Sequence, residues 1–257
     1  MQITVFGASG AIGQQIVALA TQRGHTIRAI YRTSPPVPLG DQVEIRISPD
    51  IFQHDFVTQA IRDAAVVITT LGPNFAQRHN AQTKLLSPPD LHQRLAHALV
   101  RAMRQVDAPA KVIAVSTGSM GPADDIMPLG PRLLLGFLRT VIVRNLRVVG
   151  KDLTAMEHEL ATSGLDWHAV RPVKLTDGPL TGQVQVGERF AMRSISRADV
   201  AWYLLALAES TTHQQTRTPI LVSAPRSRML RNQPPGLGDT GRAAINARMS
   251  ESESMAR

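Results

Sequence analysis

Short apolar runs alternate with longer stretches of helical periodicity along most of the chain. Six runs have the length of β-strands: "ITVF" (3–6), "TIRAIY" (26–31), "VEIRI" (43–47), "VVITTL" (66–71), "KVIAVS" (111–116) and "WHAVRP" (167–172). The periodicity between and after them predicts helices at 11–23, 56–63, 88–106, 151–163 and 197–209. Such alternation is typical of βαβ units, so the pattern predicts an α/β fold with a doubly wound, mostly parallel sheet. In the last helix, Ser196 and Asp199 of "SRAD" have the spacing of a capping box.

Two segments depart from this alternation. Residues 120–149 contain several proline and glycine breaks followed by an apolar, basic stretch, which predicts a loop and helix over a pocket or an oligomer contact. An ordinary buried helix explains that stretch equally well. Residues 226–257 are rich in Arg, Ser, Gly and Pro with little periodicity, which predicts a mobile tail after a single domain at 1–225.

The stretch "VFGASGAIGQQIV" carries three glycines where the first strand turns into the first helix. Gly7 permits a tight turn, Gly10 lets the backbone approach a pyrophosphate, and Gly13 allows close packing of helix on strand. The free amides of Ala11 and Ile12 and the hydroxyl of Ser9 would add hydrogen bonds to the phosphates. Because the strand, the helix and the order of elements all agree, the motif predicts a dinucleotide site.

The end of the second strand predicts which dinucleotide binds. An acidic residue there would accept hydrogen bonds from a ribose 2′-hydroxyl, but this chain has "AIYRTS". Arg32, helped by Thr33 or Ser34, suits the 2′-phosphate of NADP. A solvated surface arginine is the alternative interpretation.

Three further positions are candidates for cofactor contacts. Leu71, Gly72 and Pro73 end the fourth strand run, and the glycine would let the backbone pass close to the cofactor. Asp55 follows the third strand and could accept a hydrogen bond from the adenine amino group. It could equally be the N-cap of the helix that begins near Phe56.

Composition narrows the class of protein. With 257 residues, 43% of them hydrophobic, the chain can bury one sizeable core. No apolar run approaches the roughly 20 residues of a membrane helix, and strand residues begin at Gln2, so a cytoplasmic protein without membrane contact is expected. With no cysteine, thiolate nucleophiles and cysteine-ligated metals are excluded, and redox chemistry must come from a cofactor.

The net charge of +8 does not by itself predict nucleic-acid binding. Six arginines against three acids in 226–257 supply part of this charge, no basic run of five or more occurs, and only two Trp and two Tyr are available for base stacking. The histidines have no paired spacing for a metal, so no metal site is predicted.

Carbonyl reduction by a Tyr and a Lys four residues later is also disfavoured. Tyr31 and Tyr203 are the only tyrosines, and neither is followed by Lys at that spacing. A conjugated acceptor such as a flavin, quinone or bilin can take its proton from solvent and needs no such acid.

Several longer stretches resemble the atypical short-chain dehydrogenases of the NmrA-like group, particularly the NADPH-dependent flavin reductases of the biliverdin reductase B type. They include "GASGAIG", "YRTS", "AVVITTLGP", "KVIAVSTGSM", "SGLDWHAVRP", "GPLTG" and "SISRADVAWYLLALA". The resemblance implies a Rossmann domain, NADP(H) in an extended cleft, and a small C-terminal substrate lobe built from about 120–150 and 172–196. It also implies that Ser116 and Thr117 face the nicotinamide and the acceptor, and that backbone groups of Pro172 and Val173 meet the carboxamide.

Two positions depart from the pattern of those reductases. Thr117 replaces a serine and keeps a hydroxyl, whereas Lys174 replaces a histidine and could donate a proton, hold an anionic substrate edge, or simply be a solvated surface residue. The expected protein is an NADPH-dependent reductase of a flat small-molecule acceptor, monomeric or homodimeric. A non-catalytic NADP(H) sensor and a nucleotide-sugar epimerase or dehydratase are the alternatives.

Overall fold

A computed structural model gives the fold of the chain. It describes residues 1–35, 39–72, 75–77, 83–85, 87–106, 110–117, 144–187, 194–210, 218 and 220–223. Pro73, most of the predicted loop and helix at 120–149, and the predicted tail at 226–257 lie outside the described residues.

Twelve strands are described. They are β1 (Gln2–Phe6), β2 (Thr26–Tyr31), β3 (Val43–Ile47), β4 (Val66–Thr69), β5 (Phe75–Gln77), β6 (Thr83–Leu85), β7 (Lys111–Val115), β8 (Trp167–Pro172), β9 (Lys174–Thr176), β10 (Val184–Gly187), β11 (Ser194–Ser196) and β12 (Ile220–Ser223). Eight form one sheet in the order β10-β12-β8-β7-β4-β1-β2-β3, parallel throughout except that β10 is antiparallel to β12. The predicted α/β, doubly wound parallel sheet is confirmed.

Five described helices cover the two faces of this sheet. They are α1 (Ala11–Gln22), α2 (His54–Ile61), α3 (Leu91–Met103), α4 (Arg144–Ala161) and α5 (Arg197–Glu209). Helices α1 and α5 share one hydrophobic core with Val66 and Ile68 of β4, and the other three helices share a second core with Val67. Successive side chains of a strand point to opposite faces, so a continuous apolar run such as β4 is buried on both sides.

All six predicted strand runs form strands of the large sheet, and the predicted helix 197–209 has the same bounds as α5. Three helix starts were placed wrongly, including that of α3, which begins at Leu91 rather than 88. Helix α2 begins at His54 rather than 56, and α4 begins at Arg144 rather than 151. Gly150 lies inside α4, where its poor helix propensity is outweighed because Val149 and Leu153 are buried in the second core.

The start of α5 is capped as the sequence predicted. The Ser196 hydroxyl accepts the backbone N–H of Asp199 at 3.0 Å, and the fully buried Asp199 carboxylate accepts the backbone N–H groups of Thr181 and Gly182 at 2.8 Å each. Asp199 therefore ties the "GPLTG" segment to the first turn of α5, within the predicted substrate lobe.

The topology brings the functional segments to one edge of the sheet. The strand order reverses between β1 and β4, and in open parallel sheets ligands bind beyond the carboxyl ends of the strands at such a reversal. No helix in the described part of the chain has the length and apolar composition needed to cross a membrane.

Candidate functional site

A cleft of about 730 Å³ runs along this carboxyl edge, within the range of about 300–1,000 Å³ typical of ligand pockets. It is lined by residues from the turn after β1 and from the ends of β2, β4, β7 and β8. The predicted site residues that it brings together are Gly7, Ser9, Gly10, Ala11, Ile12, Arg32, Leu71, Gly72, Ser116, Thr117, Pro172 and Val173.

Two glycines are required by the geometry of the turn between β1 and α1. Gly7 has φ +88°, and a Cβ there would lie 2.8 Å from the carbonyl carbon of Thr70. A Cβ on Gly13 would lie 2.1 Å from the backbone oxygen of Gly7 and 2.9 Å from the Cα of Ala8. Both contacts are with backbone, so a larger residue at either position would force the turn apart. Gly13 packs helix against strand as predicted and does not line the cleft.

The first turn of α1 offers unpaired backbone amides to the cleft. Gly10 is its N-cap, no side chain in the described part of the chain caps this end, and the first turn contains no acidic residue. The first N–H groups of a helix have no intrahelical partner, and the helix dipole favours an anion there. This end of the cleft therefore fits the pyrophosphate of a dinucleotide.

Arg32 follows β2 directly and lines the same cleft, with an exposed side chain. Among the described residues it has no ion-pair partner, so its guanidinium is available to a phosphate. Burial raises the pKa of the neighbouring Tyr31 hydroxyl, which remains neutral beside it. Thr33 is exposed and outside the residues that line the cleft.

The segment after β3 contributes lining residues that were not predicted from the sequence. Ile51 and Phe52 line the cleft there, with the guanidinium carbon of Arg94 4.3 Å from the centroid of the Phe52 ring. Asp55 is exposed in the first turn of α2 and does not line the cleft. The alternative interpretation of Asp55 as the N-cap of this helix is wrong. Helix α2 begins at His54, two residues before the predicted start, and its N-cap is Gln53.

The end of β4 is held by a buried histidine and carboxylate. His92 Nδ1 lies 2.7 Å from Asp152 Oδ2, and His92 Nε2 lies 3.1 Å from the backbone oxygen of Leu71. The same carboxylate accepts the backbone N–H groups of His92 and Gln93, both at 2.9 Å, and so caps α3 from α4. Both ring nitrogens of His92 therefore lie within hydrogen-bond distance of oxygen atoms, one of a carboxylate and one of a carbonyl. The contact between His92 and the Leu71 backbone holds Leu71, the residue before Gly72, at the cleft.

The ends of β7 and β8 form the middle of the cleft. The Ser116 side chain is 5% exposed, and within the described part of the chain its hydroxyl oxygen has no hydrogen-bond partner. A buried polar atom without a partner is costly, so this hydroxyl fits a polar group of a bound ligand. Thr117 follows, half-buried, and also lines the cleft. Behind them, the buried pair of Arg171 and Glu157 joins β8 to α4, with Arg171 Nε donating to Glu157 Oε1 at 3.1 Å.

Lys174 is exposed on β9 and is not among the cleft-lining residues. The charged residue near β9 that does line the cleft is Arg197, the first residue of α5. The only sequence signal for it is its place between the two residues of the predicted capping box. Across the described lining residues, the permanently charged groups are Arg32 and Arg197, with no aspartate or glutamate.

The chain matches one family model, described as NAD(P)H-binding, over residues 7–211. Among solved structures it is similar to the anaerobilin reductase ChuY from Escherichia coli O157:H7, with 22% identity, a TM-score of 0.61, and coverage of 90% of this chain and 100% of that chain. A short-chain dehydrogenase/reductase from Veillonella parvula in complex with NADP has 17% identity and a TM-score of 0.63, with coverage of 86% and 94%. The oxidoreductase ylbE from Lactococcus lactis has 19% identity and a TM-score of 0.63, with coverage of 87% and 91%.

The structural likeness, at these identities, shows a shared fold. The family match shows more, since it spans the glycine turn and the strand ends around the cleft. The predicted nicotinamide dinucleotide cofactor is thereby confirmed, and the chain belongs to the NAD(P)H-binding family.

Proposed function

We propose that the protein is an NADPH-dependent reductase of a flat, conjugated acceptor and a member of the NmrA-like group of atypical short-chain dehydrogenases. The observation that carries the proposal is one cleft that joins three features: the N-terminus of α1, the guanidinium of Arg32 and the buried hydroxyl of Ser116, the last two without a partner among the described residues. The reductases among the similar structures, including one named for its action on a bilin, agree with this chemistry.

When bound, NADPH supplies a hydride. The residues of this chain bind and orient the reactants: the amides of Ala11 and Ile12 hold the pyrophosphate, and Arg32 holds the 2′-phosphate. The hydroxyls of Ser116 and Thr117 donate hydrogen bonds to the nicotinamide side of the cofactor or to a heteroatom of the acceptor. Pro172 and Val173 present backbone groups at the same point, and the apolar wall from Val149 and Leu153 excludes water.

The chain's own contribution to the reaction is alignment. The hydride donor and the accepting atom, a carbon or a ring nitrogen according to the acceptor, would have to approach to about 3.5 Å, and this positioning lowers the barrier without a protein acid. Tyr31 and Tyr203 do not line the cleft, and neither does Lys174, so no described tyrosine or lysine serves as proton donor there. An acceptor that draws its proton from solvent suits such a site.

The cofactor preference can be tested by measuring the dissociation constants of NADPH and NADH for wild type and Arg32→Gln. Loss of a charge-assisted contact to the 2′-phosphate weakens NADPH about 10–100-fold and leaves NADH unchanged. Arg46→Gln is the matched control. Arg46 is the last residue but one of the neighbouring strand β3, where it forms an ion pair with Glu44, and it does not line the cleft. An unchanged ratio of the two constants in Arg32→Gln would contradict the assignment.

The reaction can be tested by following oxidation of NADPH with a flavin, a quinone and a bilin as acceptors. Turnover with at least one of them, reduced strongly in the Ser116→Ala/Thr117→Ala double variant, is expected. Tight NADPH binding without turnover of any acceptor would instead support a non-catalytic NADP(H) sensor.

A further inference from the structure

A second arginine stands in the cleft at the end opposite to Arg32. Arg197 is the first residue of α5, and its side chain is 28% exposed while it lines the cleft with Pro172, Val173 and Leu175. Four strand positions separate β2 from β8, which at about 4.8 Å each puts the two ends about 19 Å apart. The two guanidinium groups therefore serve different parts of the bound molecules.

The partner of Arg197 is poorly suited to neutralise it. Strands β9 and β11 are parallel with Thr176 opposite Ser196, so the next residues along, Asp177 and Arg197, face each other and form an ion pair. The Asp177 side chain is 87% exposed, and ion pairs with so much solvent around one member contribute little. An anion bound inside the cleft would compete with Asp177 successfully because it is shielded from water.

Hydrogen bonds on both sides of Arg197 hold its backbone beside the cleft. Ser196 caps α5 on one side, and the fully buried Asp199 on the other accepts hydrogen bonds from Thr181 and Gly182. An arginine held at a fixed point loses little conformational freedom when it binds a carboxylate or phosphate in its bidentate geometry.

The anionic groups of the cofactor already have other binders in the proposed arrangement. The pyrophosphate lies at the first turn of α1, and the 2′-phosphate lies at Arg32. Arg197 is left over, together with a cleft whose described lining contains no carboxylate to repel an anion.

We propose that Arg197 selects acceptors that carry an anionic substituent, either a carboxylate or a phosphate. When such an acceptor binds, the Arg197 guanidinium exchanges its ion pair with Asp177 for one with this substituent. The inference rests on the proposed reductase function and names its substrate class. It predicts that the flat acceptor binds with its charged arm toward the start of α5.

The test uses two flavins with the same ring, FMN with a phosphate and riboflavin without one, and measures their binding to the NADP⁺-loaded protein by quenching of flavin fluorescence. Wild type is expected to bind FMN more tightly than riboflavin. Arg197→Gln weakens FMN about tenfold, the effect of one charge-assisted contact, and leaves riboflavin unchanged. Asp177→Asn removes the competing carboxylate and tightens FMN. A purely structural ion pair would make the two variants change in the same direction.

Arg23→Gln is the matched control, since it breaks the pair with Glu209 at the opposite end of α5, away from the cleft. Equal binding of both flavins by wild type, binding of neither, or equal weakening of both in Arg197→Gln would overturn the inference. Weakened NADP⁺ binding in Arg197→Gln with an unchanged FMN to riboflavin ratio would overturn it too, and would assign the guanidinium to the pyrophosphate. Turnover is measured separately, so failure of the reductase proposal is distinguishable from failure of the anion site.

Discussion

The substitution Gly13→Ala tests the packing of the glycine turn most directly. The added methyl group would lie 2.1 Å from the backbone oxygen of Gly7, more than 1 Å inside the 3.4 Å at which ordinary contact begins. It would also lie 2.9 Å from the Cα of Ala8. Because every close neighbour is backbone, no side chain can rotate away, and either α1 or the turn must move.

The magnitude follows from two opposing effects. Overpacking by one methyl group costs about 1–3 kcal/mol or more, and a contact with rigid backbone lies at the upper end. Alanine regains up to about 1 kcal/mol of helix propensity over glycine. The expected net loss is about 2 kcal/mol in the free energy of unfolding, which lowers Tm by about 4–8 °C in a domain of this size.

The assay is thermal unfolding by circular dichroism, without and with NADPH. Gly13→Ala should unfold at a lower temperature. Its Tm should also rise less on addition of NADPH, because the displaced turn carries the amides proposed to bind the pyrophosphate. Gly10→Ala is the matched control, because its added methyl group would lie 3.3 Å from the oxygen of Gly7, a contact that a small shift relieves. That variant should keep its Tm without cofactor and lose part of the stabilisation by NADPH. An unchanged Tm in Gly13→Ala would refute the packing argument.

Three further predictions concern charged groups. Glu157→Gln leaves Arg171 buried without its counter-charge and should cost about 3 kcal/mol in urea denaturation, a loss that Arg171→Met in the same chain partly restores. Asp152→Ala should cost a similar amount and weaken NADPH binding, because it frees His92 from the end of β4, whereas normal affinity would argue against that link. Burial alone would raise the pKa of Glu44, but the hydrogen bonds and charges of two arginines outweigh it and lower the pKa below its ordinary value of 4.5. Glu44→Gln should therefore cost stability near neutral pH, by less than about 1 kcal/mol, with the difference from wild type vanishing as the pH falls through that lowered pKa.

The part of the site made by backbone could be predicted from the sequence. The spacing of the glycines indicates which positions of the turn cannot hold a side chain. At Gly7 and Gly13, an added Cβ would collide with backbone atoms. Strand ends follow from hydrophobic runs, so Arg32, Gly72 and Ser116 could be placed at one edge before their contacts were known. These inferences depend on a few neighbouring residues and on the rule that parallel strands end together.

The side-chain part of the site could not be predicted in this way. His92 and Asp152 are 60 residues apart and meet only because α3 packs against α4. The partnership of Glu157 with Arg171 depends on where α4 crosses β8, and the start of α4 was itself placed wrongly. Asp55 was selected for its chemistry, yet the residues of this segment that line the cleft are the apolar Ile51 and Phe52, four and three positions earlier in the chain.

This division between backbone and side chains has a functional consequence. In the proposed arrangement, the cofactor end of the cleft uses helix amides and one arginine to bind phosphates, groups that every dinucleotide of the same class carries. In the same proposal the acceptor end uses Leu175 of β9 and Arg197 of α5, which lie outside the eight-stranded sheet and can change with little effect on it. Arg197 and Lys174 illustrate the point: Lys174 lies on β9 and Arg197 directly follows β11, but of the two only Arg197 lines the cleft. Differences in acceptor among proteins with this fold should therefore follow from the lobe, while the cofactor stays the same.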